Sequence, residues 1–98
     1  MSKIAALNYK WSCRIVAQLY DFGVRTVCIS PGSRNTPLIL AFLEHGKYNC
    51  VSHIDERSGA FFALGVALQT QTPVAILSTS GTAMANFLPA VIEASQSR

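Results

Sequence analysis

Three polar loops in this 98-residue chain each follow a short apolar run, and that repetition constrains the fold more than any other feature. Val24 to Ile29 runs into Ser30-Pro31-Gly32-Ser33-Arg34-Asn35. Asn49 to Ile54 runs into Asp55-Glu56-Arg57-Ser58-Gly59, and Val74 to Leu77 into Ser78-Thr79-Ser80-Gly81-Thr82. A helical pattern follows each loop. Short strands that alternate with helices predict an α/β fold, a parallel sheet with flanking helices. The three loops then leave the carboxyl ends of the strands, where open α/β sheets bind ligands. Residues distant in sequence are thereby expected along one rim.

The helices carry their own signals. The first is predicted from about Asn8, a capping residue, to Phe22, with Trp11, Ile15, Leu19 and Phe22 at helical spacing. Gly23 suits the left-handed residue that ends such a helix. Thr36-Pro37 predicts the next start, a capping hydroxyl followed by proline at the first helical position, with Leu38, Phe42 and Leu43 as its apolar face and Gly46 at its end. Asp55 is the expected cap of the third helix, with Phe61, Leu64, Gly65 and Leu68 on one side and Gly59 and Gly65 allowing close packing. Pro73 is expected to start the third strand. The last helix is expected to begin near Gly81-Thr82 and to bend at Pro89, which has no N–H to donate.

Composition narrows the class. Half the residues are apolar and 13% are charged, too apolar a balance for disorder and one that fits a sheet covered on both faces. The net charge is +3, with Lys and Arg scattered, so no nucleic-acid stripe is present. Cys13, Cys28 and Cys50 are odd in number and widely spaced, which argues against a metal cluster or a disulfide framework. Cys28 and Cys50 read as small buried thiols. No basic-then-apolar leader and no run long enough to span a bilayer is seen. A cytoplasmic protein is expected. Three β-α units leave sheet edges uncovered, so the chain is expected to be the front of something larger.

Each loop has a chemical and a structural reading. Pro31 and Gly32 make a tight turn that brings bare backbone close to a ligand, and Ser33 and Arg34 offer a hydroxyl and a forked cation for a carboxylate or phosphate. The structural alternative is an ordinary β-α turn with a solvated arginine. No GxGxxG or GxxxxGK phosphate loop is present. Asp55 and Glu56 at a helix start are favoured by the helix dipole alone. The chemical alternative is that Glu56 exchanges a proton across the rim. His53 reads as a buried, hydrogen-bonded histidine. Thr79-Ser80-Gly81-Thr82, with Asn86 one turn on, supplies hydroxyls and helix-start amides, as many capped turns do.

The combination is more specific than its parts. Ser-Pro-Gly-Ser-Arg-Asn-Thr-Pro, then His-Ile-Asp-Glu-Arg, then Ser-Thr-Ser-Gly-Thr-Ala-Met-Ala-Asn resembles the front of the thiamine-diphosphate enzymes. It is most similar to the SEPHCHC synthase family of menaquinone biosynthesis, which joins 2-oxoglutarate to isochorismate. The resemblance runs from about Asn8 to Ala94. It implies that residues 1–98 are the N-terminal portion of a pyrimidine-binding domain, with no second domain in this chain. It implies that Glu56 is the catalytic acid, hydrogen-bonded to N1′ of the cofactor's aminopyrimidine and promoting loss of the thiazolium C2 proton. Pro31, Gly32, Thr79, Ser80, Gly81 and Asn86 are implied to line the cofactor cleft, and Ser33 and Arg34 to hold a substrate carboxylate.

The same resemblance implies thiamine diphosphate and Mg2+, both needing a diphosphate-binding domain that these residues do not contain. It implies a homodimer or homotetramer for the full-length protein, and an inactive isolated fragment. Two other readings stay open: another thiamine-dependent decarboxylase of the acetolactate synthase kind, and a non-catalytic α/β binding module.

Overall fold

The computed structural model describes residues 3–32, 35–79 and 81–96. Three parallel strands, β1 (Thr26–Ile29), β2 (Asn49–Ser52) and β3 (Val74–Leu77), form one sheet in the order β2-β1-β3. Helices α1 (Lys3–Asp21), α2 (Thr36–His45), α3 (Glu56–Thr70) and α4 (Leu88–Gln96) flank it, with a 3-10 helix (Gly81–Phe87) before α4. The chain steps from β1 outward to β2, then back past β1 to β3. Right-handed crossovers in opposite directions put α2 and α3 on opposite faces. The expected α/β architecture is therefore what forms.

The core lies between the sheet and the α1–α2 pair. Val16, Val27, Ile29, Ala41 and Phe42 are buried together, with Tyr9, Cys13, Leu19, Leu38, Tyr48 and Leu77 packed around them. The Tyr48 hydroxyl donates to the Val16 carbonyl at 2.6 Å, and Tyr9 donates to the Glu44 carboxylate, which pushes its phenol up. On the other face Ala60, Phe87 and Ala90 form a smaller cluster.

Several local expectations are corrected. Helix α1 begins at Lys3, and Asn8 lies within it, its carbonyl accepting from Ser12 Oγ at 2.9 Å. Lys3 to Leu7 are good helix formers that need no cap at Asn8. The buried face of α1 is Ser12 and Val16, whereas Trp11, Ile15 and Phe22 are exposed. The helix carries two apolar stripes, and α2 covers only one. On α2, Phe42 is buried and Leu43 is exposed; Ala41 takes the inward place. Gly23 and Gly46 have the left-handed φ values expected, +101° and +79°.

Strand β2 stops at Ser52, and Ile54 is wholly exposed. In α3 the small residues Gly59, Ala60 and Ala63 are the buried ones, while Phe61 and Leu68 are exposed and nothing approaches Gly65. Close packing is achieved by alanine methyls instead. Pro89 stands second in α4, directly after the 3-10 helix, where its missing N–H leaves the bonds of α4 itself intact. Cys28 is buried and Cys50 half-buried; burial pushes both thiols up. Apolar side chains remain exposed on the flank of β3, including Ile76, Leu88 and Val91.

Candidate functional site

The register places the three loops at one level. Ile29 pairs with Ser52 on one side and with Leu77 on the other. The ladder then continues one step: Ser30 N donates to the Leu77 carbonyl at 2.9 Å, and His53 N to the Ile29 carbonyl at 2.8 Å. Loops at three adjacent strand ends span about 10 Å, two strand spacings. The Pro31 and Gly81 bends thus share one edge of the sheet, with the first loop between the other two.

The first and third loops touch. A Cβ added to Gly32 would lie 2.5 Å from Thr79 Cβ and 2.8 Å from its hydroxyl oxygen. Only a bare backbone fits there. Asn35, 5% exposed, folds its side chain back over this turn. Its Oδ1 accepts from Gly32 N at 3.0 Å, and its Nδ2 donates to the Ser30 carbonyl at 3.1 Å. Asn35 occupies the cap position of α2 without making a cap hydrogen bond. The Thr36 hydroxyl, expected to cap, donates to the Gly32 carbonyl at 3.5 Å instead.

The second loop presents Glu56 as the first residue of α3, half-buried. Asp55 caps the helix as expected, its carboxylate accepting from Ser58 N at 3.0 Å and Ser58 Oγ at 2.7 Å. The Ser58 hydroxyl, then the Ser58 amide, holds the Asp55 carboxyl below its ordinary 3.8. A lowered value in the folded state means stability that is complete above the unfolded pKa and lost as pH falls through the folded one. Asp55→Ala should therefore lower the melting midpoint at pH 7. The gap to wild type should close progressively below about pH 4, as thermal scans across pH would show.

His53 departs from expectation. Its ring packs on Phe62 with centroids 5.1 Å apart and against Gly59, where a Cβ would meet ring carbon at 3.0 Å. Its Nε2 is buried and has no hydrogen-bond partner among the described residues. Gly59 therefore clears room for a ring rather than for the sheet.

The remaining site residues divide in two. Gly81 opens the 3-10 helix, and Asn86 is exposed near its end. Ser33, Arg34 and Ser80 lie outside the described residues. The sequence reading missed Asn35 altogether. An asparagine after a Pro-Gly turn is the signal that was available, because such side chains bond local backbone.

The rim thus carries two features at neighbouring strand ends. One is the Glu56 carboxyl at the start of α3; the other is the Pro31–Gly32 turn, held by Asn35 and close to Thr79, where Gly32 adds no side-chain bulk. A separate hollow between α3, β3 and α4 is lined by alanines with Leu64, Val74, Ile76 and Val91, none of which carries a polar side chain. Among the described residues no group of three or more His, Cys, Asp or Glu side chains is placed to hold a metal ion. No helix among them is long and apolar enough to cross a membrane.

The family described as thiamine pyrophosphate enzyme, N-terminal TPP binding domain, matches residues 10–98. The chain belongs to that family. All three loops fall inside the match. The chain is also similar to proteins named 2-succinyl-5-enolpyruvyl-6-hydroxy-3-cyclohexene-1-carboxylate synthase, which bears out the resemblance in its loops. It is 55% identical to that of Roseiflexus castenholzii over 89 residues, covering 91% of this chain and 15% of the relative. Identity to the Dechloromonas aromatica protein is 54% over 97 residues, 99% of this chain and 18% of the relative. For Haloarcula marismortui it is 55% over 91 residues, 93% and 15%. The chain thus spans less than a fifth of the length of these relatives.

Proposed function

We propose that residues 1–98 form part of the pyrimidine-binding domain of a thiamine-diphosphate-dependent synthase. The enzyme decarboxylates 2-oxoglutarate and joins the remaining unit to isochorismate in menaquinone biosynthesis. The observation that supports this most is the set of three loops on one rim, read with the names of the relatives. In this reading Glu56 hydrogen-bonds the aminopyrimidine and holds or releases the proton there. A carboxyl group sharing a proton with a ring nitrogen makes a charge-assisted bond, about twice as strong as a neutral one. Pro31 and Gly32 form the bare wall beside the ring, and Thr79, Ser80, Gly81 and Asn86 line the same cleft. When bound, thiamine diphosphate supplies the electron sink for decarboxylation. Ser33 and Arg34 orient a substrate carboxylate; a guanidinium fork matches one in two parallel hydrogen bonds.

Magnesium and the diphosphate belong, in this proposal, to a separate domain of the full-length protein, supplied by a neighbouring subunit of a homodimer or homotetramer. The 98 residues alone are then inactive. The free thiols of Cys13, Cys28 and Cys50 accord with a reducing cytoplasm.

The test uses the full-length protein with thiamine diphosphate and Mg2+. Carbon dioxide should be released from 2-oxoglutarate when isochorismate is present, and not from pyruvate. Arg34→Ala should raise KM for a carboxylate substrate roughly ten- to hundredfold, the equivalent of losing hydrogen bonds to a charged group at about 1.5–3 kcal/mol. Turnover of pyruvate in preference would point to an acetolactate synthase type of enzyme and overturn the substrate assignment.

A further inference from the structure

We propose that Asn35 is a positioning residue for the cofactor crevice. Its carboxamide holds the Pro31–Gly32 turn in the shape that presents bare backbone beside Thr79, and so sets affinity for the aminopyrimidine. The proposal rests on the thiamine-diphosphate reading above.

Pro31 has no N–H to donate. Among the described residues, the Asn35 side chain closes the span between Ser30, stitched to β3 through the Leu77 carbonyl, and Gly32, pressed against Thr79. That side chain uses both its functions. Oδ1 takes the Gly32 N–H at 3.0 Å and Nδ2 gives to the Ser30 carbonyl at 3.1 Å, bracketing Pro31 from both sides. The backbone of Asn35 adds a bond from its N–H to the Gly32 carbonyl at 3.4 Å.

The chain forgoes an ordinary use of asparagine here. At the cap position of α2, with φ −99° and ψ 8°, Asn35 makes no bond to the helix amides. Pro37 in the first turn reduces the need, having no N–H to satisfy. The side chain is instead nineteen-twentieths buried within the loop. A buried carboxamide with donor and acceptor both engaged specifies one conformation. Aspartate would keep the size and lose the donor, setting a carboxylate oxygen against the Ser30 carbonyl. Alanine would leave both backbone groups unpaired.

The experiment measures thiamine diphosphate binding to the full-length apoprotein by titration calorimetry with Mg2+ present. Asn35→Asp and Asn35→Ala should raise Kd at least tenfold. Asn35→Ser, which keeps a shorter acceptor, should fold and fall between them and wild type. The core variant Phe42→Leu, which lowers stability away from the rim, should keep Kd within twofold. Hydrogen exchange should find the Gly32 amide protected in wild type.

Wild-type Kd in Asn35→Asp or Asn35→Ser, or an equal loss of affinity in Phe42→Leu, would overturn the role given to Asn35 and leave the cofactor reading standing. Rapid exchange of the Gly32 amide would do the same, even were every Asn35 variant unfolded. Absence of saturable binding by wild type would bring down the cofactor reading, and this inference with it.

Discussion

Glu56→Gln in the full-length protein should lower kcat about 10²- to 10⁴-fold, the usual contribution of a positioned proton-transfer group, while leaving the melting midpoint close to that of wild type. The substitution is nearly isosteric. Glutamine keeps a hydrogen-bond donor and an acceptor for the ring but cannot take or give the proton. The side chain stands at the first position of α3, half-buried, and the helix is capped independently by Asp55 and Ser58. Loss of the Glu56 charge therefore removes a modest helix-dipole contribution, about 0.3–1 kcal/mol, without releasing the helix start. Cofactor affinity should fall less than kcat, because the wall formed by the Pro31–Gly32 turn is untouched. Steady-state kinetics at saturating thiamine diphosphate, with circular dichroism as the check on folding, separates these effects. Activity equal to wild type would remove Glu56 from the chemistry.

The architecture was legible because it depends on coarse signals. Three apolar runs separated by helical patterns lead to a parallel sheet through topology alone, and parallel order places loops 1, 2 and 3 on one edge whatever the side chains do. Gly23, Gly46 and Asp55 were legible because each answers one local steric or hydrogen-bonding demand. The helix faces were not. Helix α1 offers two apolar stripes, and α3 is apolar all round, so periodicity does not say which side meets the sheet. Tertiary packing decided for Val16 over Trp11, and for Ala60 and Ala63 over Phe61 and Leu68. Small residues allow α3 to approach; large ones on its far side stay exposed.

The site was legible in outline for the same reason. Glu56, Gly32 and Thr79 fall on the rim because their loops must. What holds the rim was hidden, since Asn35 reads equally as a helix cap or as a loop clamp from sequence. The choice is made in three dimensions, by Pro37 relieving the helix start and Ser30 presenting its carbonyl at 3.1 Å. His53 was hidden likewise: a histidine after a strand says nothing of a ring seated on Gly59 and Phe62.

Gly32→Ala should damage both stability and binding, and the reason is steric. The added methyl would stand 2.5 Å from Thr79 Cβ, 2.8 Å from Oγ1 and 2.9 Å from Cγ2. The nearest of these atoms is a Cβ, which no rotamer change can withdraw. One of the two loops must move. Overpacking of this kind costs about 1–3 kcal/mol, and any movement opens the crevice between the loops. Thr79→Ser should not rescue the variant, because serine keeps the Cβ. Thr79→Gly should rescue it in part, by moving the bare backbone to the opposite side of the contact, less about 0.5–1 kcal/mol for the freedom glycine loses on folding. Urea or thermal unfolding of wild type, Gly32→Ala, Thr79→Gly and their double variant, with cofactor titration alongside, gives the coupling between the two positions directly. Independent, additive effects of Gly32→Ala and Thr79→Gly would mean that the first and third loops do not meet in solution, and the shared crevice would have to be abandoned.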